Sequence, residues 1–323
     1  MFALLGAVIA VILVSLAVGA YTVAIPDLAK TLIGQGDTKD NFIVLQLRLP
    51  RVAIGAIVGI AFGIAGALFQ SMLGNPLASP DIIGITGGAS AAAVAGLLVF
   101  GVTGLAVSSM AFLGALLVAT AIYLLSWRSG ITGFRFVLVG IACAFMVQGL
   151  LGYLLTRADV RDAQAALVWL VGSLSGTRWP DIAIAAGGLA IILPLVALLA
   201  PRLKLLQLGD ESAAGLGVPV ARTRLLLLFT AVALAAIGTA AVGPIAFVAF
   251  VSAPIARRLV RTGGLALIPS ALVGVLIVLV SDFAAQHLLP GGVQVPAGII
   301  TGAIGAPYLL WLLATTNRAR GEV

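Results

Sequence analysis

The sequence predicts an all-α, polytopic membrane protein, on three observations. Hydrophobic residues fill 62% of the 323 positions and charged residues only 9%. A soluble domain is roughly 45–50% apolar and about 25% charged. Mean hydropathy is +1.22. The apolar residues also gather into runs close to the ~20 residues a spanning helix needs.

Ten such runs follow in order: 2–25, 52–73, 82–100, 108–126, 136–156, 182–200, 225–243, 245–260, 267–289 and 297–314. The first has no basic residue ahead of its apolar stretch and no clear small-residue cleavage site, so it is expected to be a retained span rather than a signal peptide. The second carries Gly55, Gly59 and Gly63, with Gly66 close behind. Small residues at every fourth position let helix backbones approach closely in lipid, here expected within one subunit. The third and fourth are joined by Gly101–Val107, a turn without charge. The fifth contains Cys143, the single cysteine, which has neither a disulfide partner nor a CxxC spacing. The sixth and seventh flank 202–224, the longest polar stretch on its side. The eighth is the weakest, interrupted by Pro244 and Pro254 and shortened by Arg257, Arg258 and Arg261. The ninth holds Asp282, the one acid inside an apolar run, and the tenth precedes Arg318 and Arg320. All 323 residues are read as one transmembrane domain.

Charge orients the spans. With both termini inside, the inner loops hold eleven basic residues: Arg128, Arg135, Arg202, Lys204, Arg222, Arg224, Arg257, Arg258, Arg261, Arg318 and Arg320. The outer loops hold seven: Lys30, Lys39, Arg48, Arg51, Arg157, Arg161 and Arg178. The positive-inside rule favours this N-in, C-in arrangement. The formal charge of +7 then lies wholly inside, because seven acids balance the outer cations. Eighteen basic residues along so long a chain are too dilute for a nucleic-acid surface, and the single His287 excludes a histidine-rich metal site.

The chemistry is mostly missing. A phosphate-cradling loop needs G-x-x-x-x-G-K-[ST], and none of Lys30, Lys39 and Lys204 follows a glycine. An ion-coupled carrier usually buries ionisable groups. Here Asp282 is either such a coupling site or a carboxylate paired locally near the outer end. A chain with neither an ATP site nor a convincing ion site is expected to take its energy from a partner. The candidate contact is 205–218. Gly209 can end one helix, Asp210 and Glu211 favour the first turn of the next, and Gly215 and Gly217 stop it after about two turns. The result is a short inner knob presenting Ala213, Ala214 and Leu216, or else a mere linker helix.

Several motifs then resemble a known family. Arg48-Leu49-Pro50-Arg51, Gly66-Ala67-Leu68-Phe69-Gln70 and Asn75-Pro76-Leu77-Ala78-Ser79-Pro80-Asp81-Ile82-Ile83-Gly84 look like the start of a FecCD (BtuC-like) permease. Trp169–Gly176 (WLVGSLSG), Leu208–Gly217 (LGDESAAGLG), Ala241–Val248 (AVGPIAFV) and Pro296–Leu310 (PAGIITGAIGAPYLL) follow in order. These permeases are membrane subunits of type II ABC importers for ferric siderophores, heme and cobalamin.

The resemblance implies a BtuC-like fold of ten helices, a dimer of permease subunits, two cytoplasmic ATPase subunits that carry ATP and magnesium, and an external binding protein. It implies a chain with no cofactor and no catalysis of its own, in a bacterial inner membrane. Gly209, Asp210, Glu211, Ala213, Ala214, Leu216 and Gly217 would form the coupling helix. Arg48 and Arg51 would face carboxylates of the docked binding protein, or else snorkel to headgroups. Asn75 and Leu77 would form one half of an inner gate. In the other half relatives carry small hydroxyl residues where this chain has Gly133 and Phe134, so Phe134 could instead be an apolar plug. Val251–Arg258 (VSAPIARR) looks like the subset that pairs with a non-identical sister, which favours a heterodimer. Gln286 stands where the cobalamin-type permease has a third docking arginine.

A ferric siderophore is the expected cargo, with heme or cobalamin as alternatives. The pathway would be weakly binding and poor in charge, since the siderophore supplies the iron's ligands. Rivals of another class are an ion-coupled carrier using Asp282 and a stand-alone channel.

Overall fold

The computed structural model describes residues 1–126, 134–260 and 264–318. Among them every regular element is helical, and no strand occurs. Six helices are long and apolar enough to cross a membrane by length and composition, and three shorter apolar ones accompany them.

Helix α1, Phe2–Ala17, ends sooner than the expected span 2–25, because Val18 turns extended. The chain re-enters helix as α2, Ile25–Leu32, with Pro26 in its first turn and a Lys30–Asp27 pair at 3.0 Å. The expected outer loop 26–51 is therefore largely helical. Helix α3, Thr38–Asn41, runs through a π-helical stretch, Phe42–Arg48, into α4, Leu49–Leu73. Pro50 explains the wider turn. A prolyl ring lacks an N–H and clashes with the carbonyl four residues back, and in the π turn the Leu49 amide instead reaches Val44 O, five residues back.

Helices α5, Ile85–Leu98, and α6, Leu105–Ser126, follow. A Cβ on Gly114 would lie 2.4 Å from Gly88 O, so these two backbones nearly touch. Helix α7, Phe134–Arg157, and the outer helix α8, Val160–Val171, fill much of the second expected loop. Helix α9, Trp179–Leu206, starts where Asp181 Oδ2 accepts from the Arg178 amide at 3.1 Å. The short α10, Asp210–Gly215, leads to α11, Val220–Val242. Helix α12, Val248–Val260, has only 13 residues, with Pro254 inside and Arg257 and Arg258 at its end, as its interrupted sequence requires. Helices α13, Leu267–His287, and α14, Ala297–Arg318, complete the chain. With α1, α4–α7, α9 and α11–α14, the ten expected spans each have a helix.

Helix α4 is the central post. It packs most extensively on α13, then on α11 and α12. Its glycines make this possible. A Cβ on Gly59 would lie 2.5 Å from Val275 Cα, one on Gly63 2.2 Å from Ser270 O, and one on Gly66 1.7 Å from Ala249 O. The fourfold stripe thus packs inside the subunit, as expected. In lipid there is no solvent-driven gain between helices, so this close van der Waals fit is what holds them. Helix α7 is the opposite case, with Phe145 72% and Met146 74% exposed.

Candidate functional site

Helix α4 spans about 37 Å at 1.5 Å per residue, and each of its ends carries a cluster of polar side chains. At the N-terminal end stand Arg48 and Arg51. Arg48 Nη1 donates to Leu16 O at 2.7 Å and Ala17 O at 3.0 Å, and its Nη2 donates to Tyr21 O. Two of these carbonyls close the end of α1, where a cation is favoured, and the third lies in the segment just beyond it; Ala17 O also accepts from the Val23 amide at 2.9 Å. Arg51 meets Asp282 of α13 through Nε at 2.8 and 3.1 Å and Nη2 at 2.7 Å. Gln286 Nε2 adds a bond to Asp282 Oδ2 at 2.7 Å. The two side chains are 18% and 7% exposed.

Both guanidinium groups are thus turned inward. They close a mouth cleft of about 320 Å³ lined also by Tyr21, His287 and Gln294, and they do not project as free docking charges. The exposed cations at this end are others. The Arg178 side chain is 72% exposed, and Arg157 at the end of α7 and Arg161 in the first turn of α8 are exposed too. Trp179 Nε1 donates to Leu45 O at 3.2 Å, which brings the start of α9 to the same end. Of the two readings left open for Asp282, the local pair is the one observed.

At the far end lies the knob. Gly209 takes φ 99° and Gly217 φ 82°, conformations that L side chains resist. The Ala213 amide reaches Gly209 O at 3.0 Å at the start, and the Gly217 amide Ala214 O at 2.9 Å and the Val218 amide Ala213 O at 3.0 Å at the end, so the six-residue α10 is closed on both sides. Glu211, Ala214 and Gly217 are exposed, and Leu216 is 60% exposed. Ala213 corrects the expectation. It is fully buried and anchors the knob instead of being presented, because a helix this short must turn one side to α9 and α11.

Asp210 is the other anchor. Arg224 Nη2 in the first turns of α11 donates to Asp210 Oδ1 at 2.5 Å, and its Nη1 donates to Met72 O at 2.8 Å. Arg257 of α12 reaches Ser71 Oγ at 2.9 Å and Gln70 Oε1 at 3.4 Å, while Gln70 Nε2 donates to Phe250 O at 2.9 Å. The last turn of α4 is therefore held by two arginines. It continues through Gly74, at φ 61°, into the exposed turn where Asn75 Oδ1 accepts from the Leu77 amide at 2.9 Å. Leu77 packs beside Phe250 and Leu312. A cleft of about 610 Å³ separates this turn from the knob, lined by Asn75, Pro76, Gly209, Asp210, Arg224 and Arg257. Gly133 and the side chain of Phe134 lie outside the described residues.

The arginine cluster was not read from the sequence. The available signal was polar groups at the edges of otherwise apolar runs, Gln70 before the end of the second and Arg224 before the seventh. In the loop 74–84, burial pushes the Asp81 carboxyl up to about 6, although the Thr86 hydroxyl and the Phe247 amide partly offset it. Its Oδ2 is enclosed and has no hydrogen-bond partner among the described residues. Among those residues no cluster of His, Cys, Asp and Glu could hold a metal.

Comparison with known proteins places this geometry. The FecCD transport family model matches residues 7–315. The chain is 37% identical over 302 residues to the ferric enterobactin transport system permease protein FepG of Escherichia coli, covering 94% of this chain and 91% of that one. It is 39% identical over 311 residues to the Fe(3+)-citrate import system permease protein YfmE of Bacillus subtilis, covering 95% and 92%. A solved inward-facing structure of a metal-chelate type ABC transporter superposes with a TM-score of 0.86 at 26% identity, covering 97% of this chain and 98% of that chain. The chain is a multi-pass permease of the bacterial inner membrane, not an enzyme, and it belongs to the FecCD transport family.

Proposed function

We propose that the chain is one of two permease subunits of an ABC importer that moves a ferric siderophore inward. An external binding protein delivers the cargo, and two cytoplasmic ATPase subunits drive the cycle on ATP and magnesium that this chain does not hold. The observation that carries the reading is the exposed α10, a closed six-residue helix with Ala214 and Leu216 outward and Ala213 and Asp210 holding it down. Small outward residues let a partner cleft close over the knob, and two anchors make it stiff enough to transmit a push. The termini and α10 lie on the cytoplasmic side, where the positive-inside rule puts the charge excess.

The sister subunit covers α7, whose Phe145, Met146 and Tyr153 are exposed and whose Gly149 and Gly152 have open space beside them. A non-identical sister is favoured by the Val251–Arg258 sequence. Asn75 and Leu77 form the inner gate with Gly133 and Phe134. The binding protein docks at the Arg48 end, on exposed cations such as Arg161 and Arg178, with Arg48 and Arg51 shaping the mouth from within. The iron-chelate relatives favour a siderophore over heme or cobalamin. An ion-coupled carrier is disfavoured, because Asp282 is occupied by Arg51.

The test uses the complete transporter in proteoliposomes. Leu216→Asp should release the ATPase and abolish uptake while the chain still inserts, and retention of the ATPase with normal uptake defeats the coupling reading. Competition among ferric enterobactin, ferric citrate, heme and cobalamin then identifies the cargo class. Import of heme or cobalamin alone defeats the siderophore reading.

A further inference from the structure

We propose that Arg224 is the positioning residue that carries movement of α10 to the inner end of α4, and so to the turn that holds Asn75. The proposal rests on α10 being the ATPase-docking helix. Three observations support it, and the first is burial. Arg224 is 8% exposed, yet it spends its charge on one carboxylate at the foot of α10 and one carbonyl at the end of α4.

The second is that this carbonyl needs a partner. The last four carbonyls of a helix are orphans. The Gly74 and Asn75 amides both turn back to Gln70 O, which leaves Met72 O to Arg224. A guanidinium suits this place, because its planar fork offers two separate donors with fixed geometry. The third is the cleft. Helix α10 packs on α9 and α11, and about 610 Å³ of open space lies between it and the 74–76 turn. Across that gap the Asp210–Arg224–Met72 chain is a continuous polar connection. Arg257 grips Gln70 and Ser71 one step back along α4, so a shift at Met72 moves a turn that is already braced. Asn75 lies three residues beyond Met72.

A bridge that only staples the fold would lower assembly without changing how much cargo moves per ATP. The experiment therefore reads uptake and hydrolysis together. The full complex, with ATPase, sister permease and binding protein, is reconstituted and supplied with radio-iron-loaded enterobactin or citrate. Arg224→Gln and Asp210→Ala should each lower uptake per ATP about tenfold, within the range of site-to-site couplings, with the ATPase still bound in Arg224→Gln. The double variant should be no worse than either single one, since both break one connection. Arg224→Lys, which keeps the charge but not the fork, should fall between.

Wild-type uptake per ATP in both single variants overturns the proposal, as do losses that add in the double variant. Loss of the ATPase from the Arg224→Gln complex also overturns it, because Arg224 would then serve docking. The Asp210 side chain is 49% exposed, and Asp210→Asn removes its charge while keeping an acceptor beside the buried Arg224, so lowered uptake per ATP with the ATPase still bound in that variant decides the matter if Arg224→Gln fails to fold. Leu216→Asp separates the two ideas. ATPase retained there removes the docking reading and the relay with it, whereas ATPase lost there, with normal coupling in Arg224→Gln, removes the relay alone.

Discussion

Arg51 and Asp282, 231 residues apart in sequence, join the first turn of α4 to the last third of α13 through a two-pronged ion pair. Removing one member of such a buried pair strands the other. Asp282→Ala should therefore lower the stability of the detergent-solubilised protein by about 3 kcal/mol, read as its thermal midpoint. Arg51→Met combined with Asp282→Leu should recover much of that loss. Uptake by the wild-type complex at held ATP should be indifferent to an uncoupler.

The charges that meet a binding protein should be the exposed ones. Arg161→Glu and Arg178→Glu should each weaken docking by about two- to fivefold at low salt, with the effect fading as ionic strength rises. Arg48→Ala should leave the salt dependence of docking unchanged. It should instead lower the thermal midpoint, since Leu16 O and Tyr21 O lose the guanidinium that donates to them and Ala17 O keeps only the Val23 amide. Binding-protein affinity measured across a salt series separates the two outcomes.

Glycine at position 66 leaves no room for a methyl group against Ala249 O. Gly66→Ala should cost about 1–3 kcal/mol, as overpacking does. On α7 a Cβ at Gly149 meets nothing within 4 Å. Gly149→Ala should be neutral or stabilise the isolated subunit by up to ~1 kcal/mol through helix propensity. Thermal midpoints of the two variants, measured side by side, check the contrast.

Asp81 should make stability depend on pH. Its carboxyl is raised to about 6 by burial from an ordinary 3.8, so the folded chain holds a proton that the unfolded chain has already lost. The stabilisation is full below about pH 4 and is lost as pH rises through 6, after which the curve is flat. The span of the effect is on the order of 3 kcal/mol. Asp81→Asn should remove the slope and raise the midpoint at neutral pH. A midpoint that climbs between pH 4 and pH 6 would contradict this assignment.

The helices were legible in the sequence because each span is a continuous apolar run, and even the weakness of α12 followed from its prolines and arginines. The knob was legible because glycines mark both of its ends. What escaped was anything that depends on which way a side chain turns. Ala213 and Ala214 are adjacent and identical, yet one is buried and the other exposed. Arg48 and Arg51 look like a free pair in the sequence, and only the fold reveals the carbonyls of α1 and the carboxylate of α13 beside them. The helices of the two outer loops were missed because amphipathic turns such as 25–32 and 160–171 carry too much charge to resemble a span.

The glycine contacts of α4 also say something about time. Side chains that interdigitate can slide by changing rotamers, which is how packed helices usually shear. Backbone pressed on backbone has no rotamers to change. Helices α4 and α13 should therefore travel as one rigid block through the import cycle, leaving α7, which among the described residues shares no such backbone contact with α4, to absorb the displacement. Spin labels on α4 and α13 should report a single unchanging distance with and without nucleotide, while a label on α7 should report two.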